Sequence, residues 1–281
     1  MNQMPDRSIT SLFQRYNLRP DKSLGQNFLT DPAILEKILQ IAGVSEDDEV
    51  LEIGAGLGHL TAVLAKAARS VTAVEIDPRF IPVLEELQGS FPNIRLVQGD
   101  ILQLDPAELI EKDGYLVVAN IPYYITSRII RNLLESGRVP REIILTIQYE
   151  VARRICDQSG KLSLLALSVH MYGHPSLEAR IPAGAFLPVP KVDSALIKID
   201  LHPQPLLPEP LRTEFFEIVK AGFTHNRKTL RNSLSKGLRW PADKAEKLLE
   251  SAGIDPGRRA ETILMDEWLE LTRRYDKIEK D

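Results

Sequence analysis

The sequence predicts an α/β fold, with a doubly wound, mostly parallel sheet followed by a small C-terminal all-α domain. Apolar runs that suit strands alternate with helical patterns from about residue 31 to residue 149, as they do in parallel sheets. A glycine turn or a polar residue directly follows each of the first four predicted strands. Four prolines in residues 202–210 mark a linker, and the pattern beyond it, at 211–281, is helical.

The chain begins with a segment that we expect to be a flexible tail at residues 1–20. It is partly basic and contains no apolar run of the length found in a signal peptide. The first predicted helix of the sheet domain begins at Asp31-Pro32, because aspartate suits the N-cap and proline suits the first helical position.

Residues 50–61, VLEIGAGLGHLT, combine a strand, a glycine-rich turn and the start of a helix. Glycine lets the backbone approach a ligand closely and adopt positive φ. Gly54, Gly56 and Gly58 stand at alternate positions, so the third glycine comes one residue earlier than in the dinucleotide-binding pattern. A tight connection between strand and helix would explain this turn nearly as well as a ligand site.

Polar side chains follow the next three predicted strands. These residues are, in chain order, Glu75, Asp100 and Asn120. The carboxyl ends of parallel strands meet at one edge of the sheet, where ligands bind, so we expect these groups to share a site. An acidic residue after the second strand is placed to accept hydrogen bonds from both hydroxyls of a ribose.

Residues 118–125, VANIPYYI, are the most informative stretch of the chain. Pro122 ends the strand, which leaves the Asn120 amide and the Tyr123 ring at the sheet edge. An amide oxygen with a nearby backbone carbonyl can accept from the exocyclic amine of a planar base, and the ring can stack on that base. Taken alone, the stretch is better explained as a turn, because Asn and Pro are common in turns. The glycine motif upstream favours the ligand site.

The remaining elements complete the predicted fold. We expect a fifth strand at 143–147, a helix at 161–172 and a closing strand pair at 177–181 and 195–201. In the helical region, Trp240 and Trp268 are expected to lie in the core. His170 and His174 are interpreted as packing or surface residues, because no third ligand accompanies them, and no metal site is expected.

These motifs together resemble a known enzyme family. The glycine spacing, Glu75, Asp100 and the tetrad at 120–123 resemble the S-adenosylmethionine-dependent N6-adenine methyltransferases. Three further segments narrow the resemblance to the rRNA adenine N6-dimethyltransferases, closest to the small-subunit (16S) type, over roughly residues 8–275. Those segments are KSLGQNFL at 22–29, FLPVPKVDSA at 186–195 and the basic segment 223–234.

The resemblance implies a Rossmann-like methyltransferase domain at 21–202 and a helical RNA-binding domain at 211–281. It implies S-adenosylmethionine as methyl donor and S-adenosylhomocysteine as product. The Asn120 oxygen and the Ile121 or Pro122 carbonyl would accept both N–H groups of the target N6, Tyr123 would stack on the base, and Phe186 would form a second wall. The expected cofactor-binding residues are Asn27, Leu29, Gly54, Gly56, Glu75, Asp100 and Asn120.

RNA binding is predicted for a run from Lys220 to Arg239 that contains no acidic residue. Ordinary solvated helix faces carry both signs of charge, so phosphate contact is the better interpretation, although the net charge of −4 argues mildly against it. Asn226 stands where close relatives often carry arginine. A second basic segment contains Arg7, Arg15, Arg19 and Lys22. The predicted RNA-binding residues are Lys220, Arg227, Lys228 and Arg231.

By resemblance, the substrate is two adjacent adenosines in the 3′-terminal hairpin of small-subunit rRNA, within a pre-30S particle. We expect a monomer. A location in the cytoplasm is expected because the only cysteine, Cys156, fits a reducing compartment and no apolar run reaches membrane-spanning length. The alternatives are a large-subunit (23S) rRNA dimethyltransferase, a DNA adenine methyltransferase and a non-enzymatic pre-ribosome assembly factor. A dinucleotide oxidoreductase is disfavoured by the glycine spacing.

Overall fold

The computed structural model describes residues 7–29, 31–122, 125–157, 161–225 and 227–280. It confirms the predicted α/β fold with a C-terminal helical region. The strands are β1 Phe28–Leu29, β2 Glu49–Ile53, β3 Ser70–Glu75, β4 Ile94–Gln98, β5 Leu116–Asn120, β6 Glu142–Gln148, β7 Gly173–Ile181, β8 Phe186–Leu187 and β9 Ser194–Leu201.

The helices alternate with the strands in the first half of the chain and dominate its end. They are α1 Ile9–Arg15, α2 Pro32–Ala42, α3 His59–Ala67, α4 Ile81–Ser90, α5 Pro106–Leu109, α6 Thr126–Leu134, α7 Tyr149–Ile155, α8 Leu164–Tyr172, α9 Leu211–Phe223, α10 Leu230–Gly237, α11 Ala242–Ser251 and α12 Met265–Lys280. None of the helices described here is long and apolar enough to cross a membrane.

Seven strands form the main sheet, in the order β4-β3-β2-β5-β6-β9-β7. The strands from β4 to β6 pair in parallel, and β9 is antiparallel to β6. Every residue of β2 is buried, as parallel strands covered on both faces require. The chain order reverses between β2 and β5, so the crevice at their carboxyl ends is the expected ligand position. A separate antiparallel pair joins β1 to β8.

The chain divides into two compact units whose boundaries differ from the predicted domains. One unit runs through Ala152 and includes Ser176–Leu201, and the other comprises Arg153–Pro175 with the chain from His202 onwards. Residues 153–175 were expected in the sheet domain at 21–202. They group with the helical unit because apolar residues of α8 share its core with α9 to α12; this core includes Ala166, Leu167, Met171, Phe215, Leu234, Leu248 and Trp268.

The expected flexible tail at residues 1–20 is wrong for the part that the structure describes. Residues Ile9–Arg15 form α1, and the Ser8 hydroxyl caps it by accepting from the Ser11 amide. Ile9 and Leu12 are buried in the core of the sheet unit. Their spacing of three residues places both on one helix face, a signal too short to stand out in the sequence.

In the helical unit, the basic segment does not form one continuous helix. The α9 helix ends at Phe223, and α10 begins at Leu230 after the Thr229 cap, whose hydroxyl accepts from the Asn232 amide. Trp268 is fully buried, as predicted. Trp240 is only half-buried and stacks on Tyr275, with ring centroids 5.4 Å apart.

Candidate functional site

One cavity lies at the carboxyl edge of the parallel sheet, within the first unit. The predicted cofactor residues all line it, together with Ile121 and Pro122. The same cavity is lined by apolar side chains, among them Leu35, Phe80 and Ile129. Tyr123 lies outside the described residues. The cavity residues that the sequence predicts are Asn27, Leu29, Gly54, Gly56, Glu75, Asp100, Asn120, Ile121 and Pro122.

The turn between β2 and α3 forms one wall of this cavity. Gly56 has φ +55°, and a Cβ atom there would lie 3.1 Å from the Phe28 Cε1 atom. Any other residue would therefore be both strained and crowded at this position. The absent side chain leaves the backbone of the turn open to a ligand, as the glycine spacing predicts.

Glu75 fastens this turn to the end of β3. Its Oε2 atom accepts from the Gly56 amide at 2.7 Å, and Oε1 accepts from the Asp77 amide at 2.8 Å. The side chain is buried, and burial raises the pKa of Glu75 above its usual range, while the two amides oppose that rise. Each carboxylate oxygen keeps a second lone pair, which a ligand hydroxyl can use.

Glu52 is a second buried carboxyl group at the cavity, and the sequence analysis missed it. It is 1% exposed, and burial together with the nearby Glu75 charge raises the pKa of Glu52 to about 8. Its Oε2 atom has no hydrogen-bond partner among the described residues. The available signal was a charged residue inside the buried strand β2, directly before the glycine turn.

Asn120 ends β5 with its side chain already oriented. Its Nδ2 atom donates to the Asn27 carbonyl at 3.1 Å, which leaves Oδ1 as an acceptor. The Asn27 side chain in turn donates to the Gly25 carbonyl at 3.0 Å. The site thus presents a fixed amide oxygen in a cavity that Ile121 and Pro122 also line, and an amide oxygen suits an exocyclic amine. The Pro122 carbonyl already accepts from the Ile125 amide at 3.3 Å and has one lone pair left for a ligand.

Asp100 lies at the opposite part of the same edge. It is half-buried, and its Oδ1 atom accepts from the Leu102 amide at 3.0 Å. The remaining lone pairs of the carboxylate can accept from a ligand. Together with Glu75 and Asn120, it supplies acceptors to a cavity whose other lining is mostly apolar, which is the usual composition of a small-molecule site.

The structure does not place Phe186 as a second wall of the cavity. Phe186 is 2% exposed and belongs to the core, whereas Leu187, the next residue of β8, is 40% exposed. Successive side chains of a strand point to opposite faces, and the Phe186 ring takes the core side. It pairs in the β1–β8 register with Leu29, which lines the cavity.

The predicted RNA-binding residues fall into two groups. Lys220, Arg227 and Lys228 are exposed. Arg231 differs, because its guanidinium pairs with Glu246 at 2.9 Å and is only partly available to a phosphate. Asn226 lies outside the described residues.

Two of the basic residues near the start of the chain, Arg7 and Arg15, are engaged in ion pairs. Arg7 and Arg15 both pair with Glu86, at 3.6 and 3.0 Å. These two side chains fasten the α1 region to α4, which makes them poorer candidates for phosphate contact than the exposed side chains after α9.

Comparison with known proteins gives a consistent result. The family described as "Ribosomal RNA adenine dimethylase" matches residues 17–277. Proteins named "Ribosomal RNA small subunit methyltransferase A" from Dehalococcoides mccartyi (strain CBDB1) and Clostridium perfringens (strain SM101 / Type A) are 43% and 40% identical to this chain. The first similarity covers 94% of this chain and 91% of the relative, and the second covers 99% and 98%.

Two solved structures are similar over most of the chain. The 23S rRNA methyltransferase ErmE has 32% sequence identity and a TM-score of 0.71, covering 89% of this chain and 100% of that one. A dimethyladenosine transferase from Plasmodium falciparum has 26% identity and a TM-score of 0.75, covering 89% and 98%.

Proposed function

This chain belongs to the ribosomal RNA adenine dimethylase family, and on that premise we propose that it methylates small-subunit (16S) rRNA. Methyl groups from S-adenosylmethionine are transferred to N6 of two adjacent adenosines in the 3′-terminal hairpin, giving N6,N6-dimethyladenosine. The names of the relatives from Dehalococcoides and Clostridium support the choice of the small subunit. The observation that carries the chemistry is the oriented Asn120 amide in a cavity shared with Glu75 and Asp100.

The cavity fits S-adenosylmethionine, which supplies the electrophilic methyl group. The backbone at Gly54 and Gly56, which lines the cavity, would receive the methionine portion. Glu75 would accept from the ribose hydroxyls, and Asp100 from the amine of the adenine. Asn27 and Leu29 would complete the binding site, with Phe186 supporting Leu29 from the core.

Asn120 would activate the target amine. The N6 lone pair of adenine is delocalised into the ring, which makes the nitrogen a poor nucleophile. Acceptance of both N–H groups by the Asn120 oxygen and the Ile121 or Pro122 carbonyl favours a pyramidal nitrogen and stabilises the positive charge that develops there. This interaction is stronger in the transition state than in the ground state, as catalysis requires.

Tyr123 would hold the target base by stacking, which is worth about 1–3 kcal/mol per base. A base must leave its stack to reach the cavity, and this costs least in a single-stranded loop. We propose that Lys220, Arg227 and Lys228 bind phosphates of the same rRNA, with a smaller share for Arg231 because of Glu246. The substrate would be a pre-30S particle, and the protein a cytoplasmic monomer.

A second candidate is methylation of 23S rRNA, which the similarity to ErmE favours. The two are separated by incubating the protein with labelled S-adenosylmethionine and either unmodified small subunits or unmodified large subunits, and then mapping the label by primer extension. We expect label at two adjacent adenosines of the small-subunit rRNA. Label in the large subunit alone would establish the second candidate, and label in neither would contradict both.

A further inference from the structure

We propose that Gln26 is a positioning residue that ties the loop orienting Asn120 to the acidic turn after β3. The inference rests on the proposed function, because it assigns a purpose to the orientation of Asn120. Its basis is a chain of hydrogen bonds between segments that are far apart in the sequence. Gln26 also lines the cavity, but both ends of its side-chain amide are engaged by the protein, so we assign it to positioning and not to contact with the reacting atoms.

Both ends of the Gln26 amide are engaged. Its Nε2 atom donates to the Asp77 Oδ2 atom at 2.8 Å, and its Oε1 atom accepts from the Asp21 amide at 2.7 Å. Asp77 is 3% exposed. Burial alone would raise the pKa of Asp77, but hydrogen bonds from Arg79 and Gln26 hold it below its usual range. The acceptor is therefore a buried carboxylate, and a bond to an ionised group is about twice as strong as a neutral one.

The residue after Gln26 provides the contact with Asn120. The Asn27 carbonyl accepts from the Asn120 Nδ2 atom at 3.1 Å. Asn27 stands between two anchors, the Gln26–Asp77 bond on one side and the β1–β8 pair on the other. The position of its carbonyl is therefore fixed from both sides. Without that carbonyl, χ2 of Asn120 would take a broad range of values, and its amide oxygen would not be held in one orientation.

The same turn also holds the proposed ribose-binding group. The Asp77 amide donates to the Glu75 Oε1 atom at 2.8 Å, while its side chain receives Gln26. Asp77 thus holds the Glu75 carboxylate through its backbone amide and, through its side chain, the loop that orients the Asn120 amide. Gln26 is the side chain that connects the two halves of the site.

The test compares single-turnover methyl transfer to unmodified small subunits at saturating S-adenosylmethionine. Misplacement of a reacting group by 1 Å can cost about 10²-fold in rate, so Gln26→Ala should slow transfer by at least about tenfold. Gln88→Ala is the matched control, because the Gln88 side chain donates to the Ile94 carbonyl and, within the described part of the chain, is not among the residues that line the cavity. It should remain within about twofold of the unmodified protein.

A second comparison separates positioning from a general structural effect. Asn120→Asp keeps an acceptor oxygen but removes the donor to the Asn27 carbonyl. In the Asn120→Asp variant, Gln26→Ala should lower the single-turnover rate little further, because the hydrogen bond between residue 120 and the Asn27 carbonyl is already absent. An equal fold-loss in both backgrounds, or no loss in the unmodified protein, would overturn the inference and leave the proposed function standing. Absence of transfer by the unmodified protein would overturn the proposed function and this inference together.

Discussion

Two side chains of this site use only part of their hydrogen-bonding capacity within the protein. Both oxygens of the buried Glu75 accept from backbone amides, and each keeps a second lone pair. The half-buried Asn120 donates through Nδ2 and keeps its oxygen for a ligand. A carboxylate or amide held in this way does not need to reorganise when the ligand arrives, which is the condition for effective electrostatic stabilisation of a transition state.

Replacement of Asn120 tests the proposed activation of the target amine. Asn120→Ala should lower the single-turnover rate by about 10²–10³, the usual cost of one preorganised transition-state contact. Affinity for S-adenosylmethionine, measured by calorimetry, should stay within a few-fold. A rate close to that of the unmodified protein would remove Asn120 from the chemical step.

Glu52 should make the stability of the protein depend on pH. Its pKa is about 8 in the folded chain against 4.5 as the ordinary value, so between these values the folded state holds a proton that the unfolded chain has released. Stability from this group is therefore fully present below about pH 4.5 and is lost as the pH rises to about 8, by up to about 1.4 kcal/mol per pH unit.

The isosteric change Glu52→Gln removes this titration. The unfolding free energy of the variant minus that of the unmodified protein should be larger at about pH 8 than at about pH 5. Urea unfolding at both pH values measures this difference. The same difference in unfolding free energy at the two pH values would mean that Glu52 ionises normally in the folded chain.

The residues of the site were predictable from sequence where they end strands. Glu75, Asp100 and Asn120 could be assigned to one cavity because parallel strands bring their carboxyl ends together. The Gln26–Asp77 bond could not be predicted, since it joins residues 51 positions apart and no sequence periodicity reports such a contact. The burial of Phe186 could not be predicted, because a two-residue strand shows no alternation to indicate its buried face.

At the scale of elements, the least expected feature is the helix α1. Leu12 is fully buried, whereas Gln14, two residues later, is exposed. The helix is held by apolar contacts and by the Arg7 and Arg15 pairs with Glu86. A helix of this length is marginal in isolation, so its order comes from packing that the local sequence does not encode.

The packing of α1 is tested by a pair of alanine substitutions. Leu12→Ala should lower the free energy of unfolding by about 2–5 kcal/mol, the range for removal of a buried leucine. Gln14→Ala, the exposed control on the same helix, should change it by less than about 0.5 kcal/mol. Equal and small effects in urea unfolding would support a flexible tail instead.

At the scale of the whole molecule, a net charge of −4 coexists with a run of exposed cations. Arg227 and Lys228 lie between α9 and α10, outside the regular part of either helix. The contribution that we propose for them in RNA binding depends on local placement and not on the overall charge of the chain, so the net charge does not argue against it.

Arg227→Ala combined with Lys228→Ala should weaken binding to unmodified small subunits and flatten its salt dependence. Each phosphate contact contributes about 0.7–0.9 to the slope of log affinity against log salt, so the slope should fall by roughly 1.5. The control is Lys247→Ala with Arg273→Ala, which removes two exposed cations from the same unit. Filter binding over a salt series measures both, and identical slopes for the two double variants would place the RNA contact elsewhere.

The discontinuous boundary of the helical unit also affects how the chain is made. The α8 segment leaves the ribosome before the α9 to α12 segments with which it shares a core. Roughly 40 residues separate the end of α8 from the start of α9, which corresponds to about 2–8 s of translation at about 5–20 residues per second. During that interval Leu167 and Met171 have no partners from α9 to α12, so the nascent chain passes through a stage in which its apolar surface is exposed to chaperones and to aggregation.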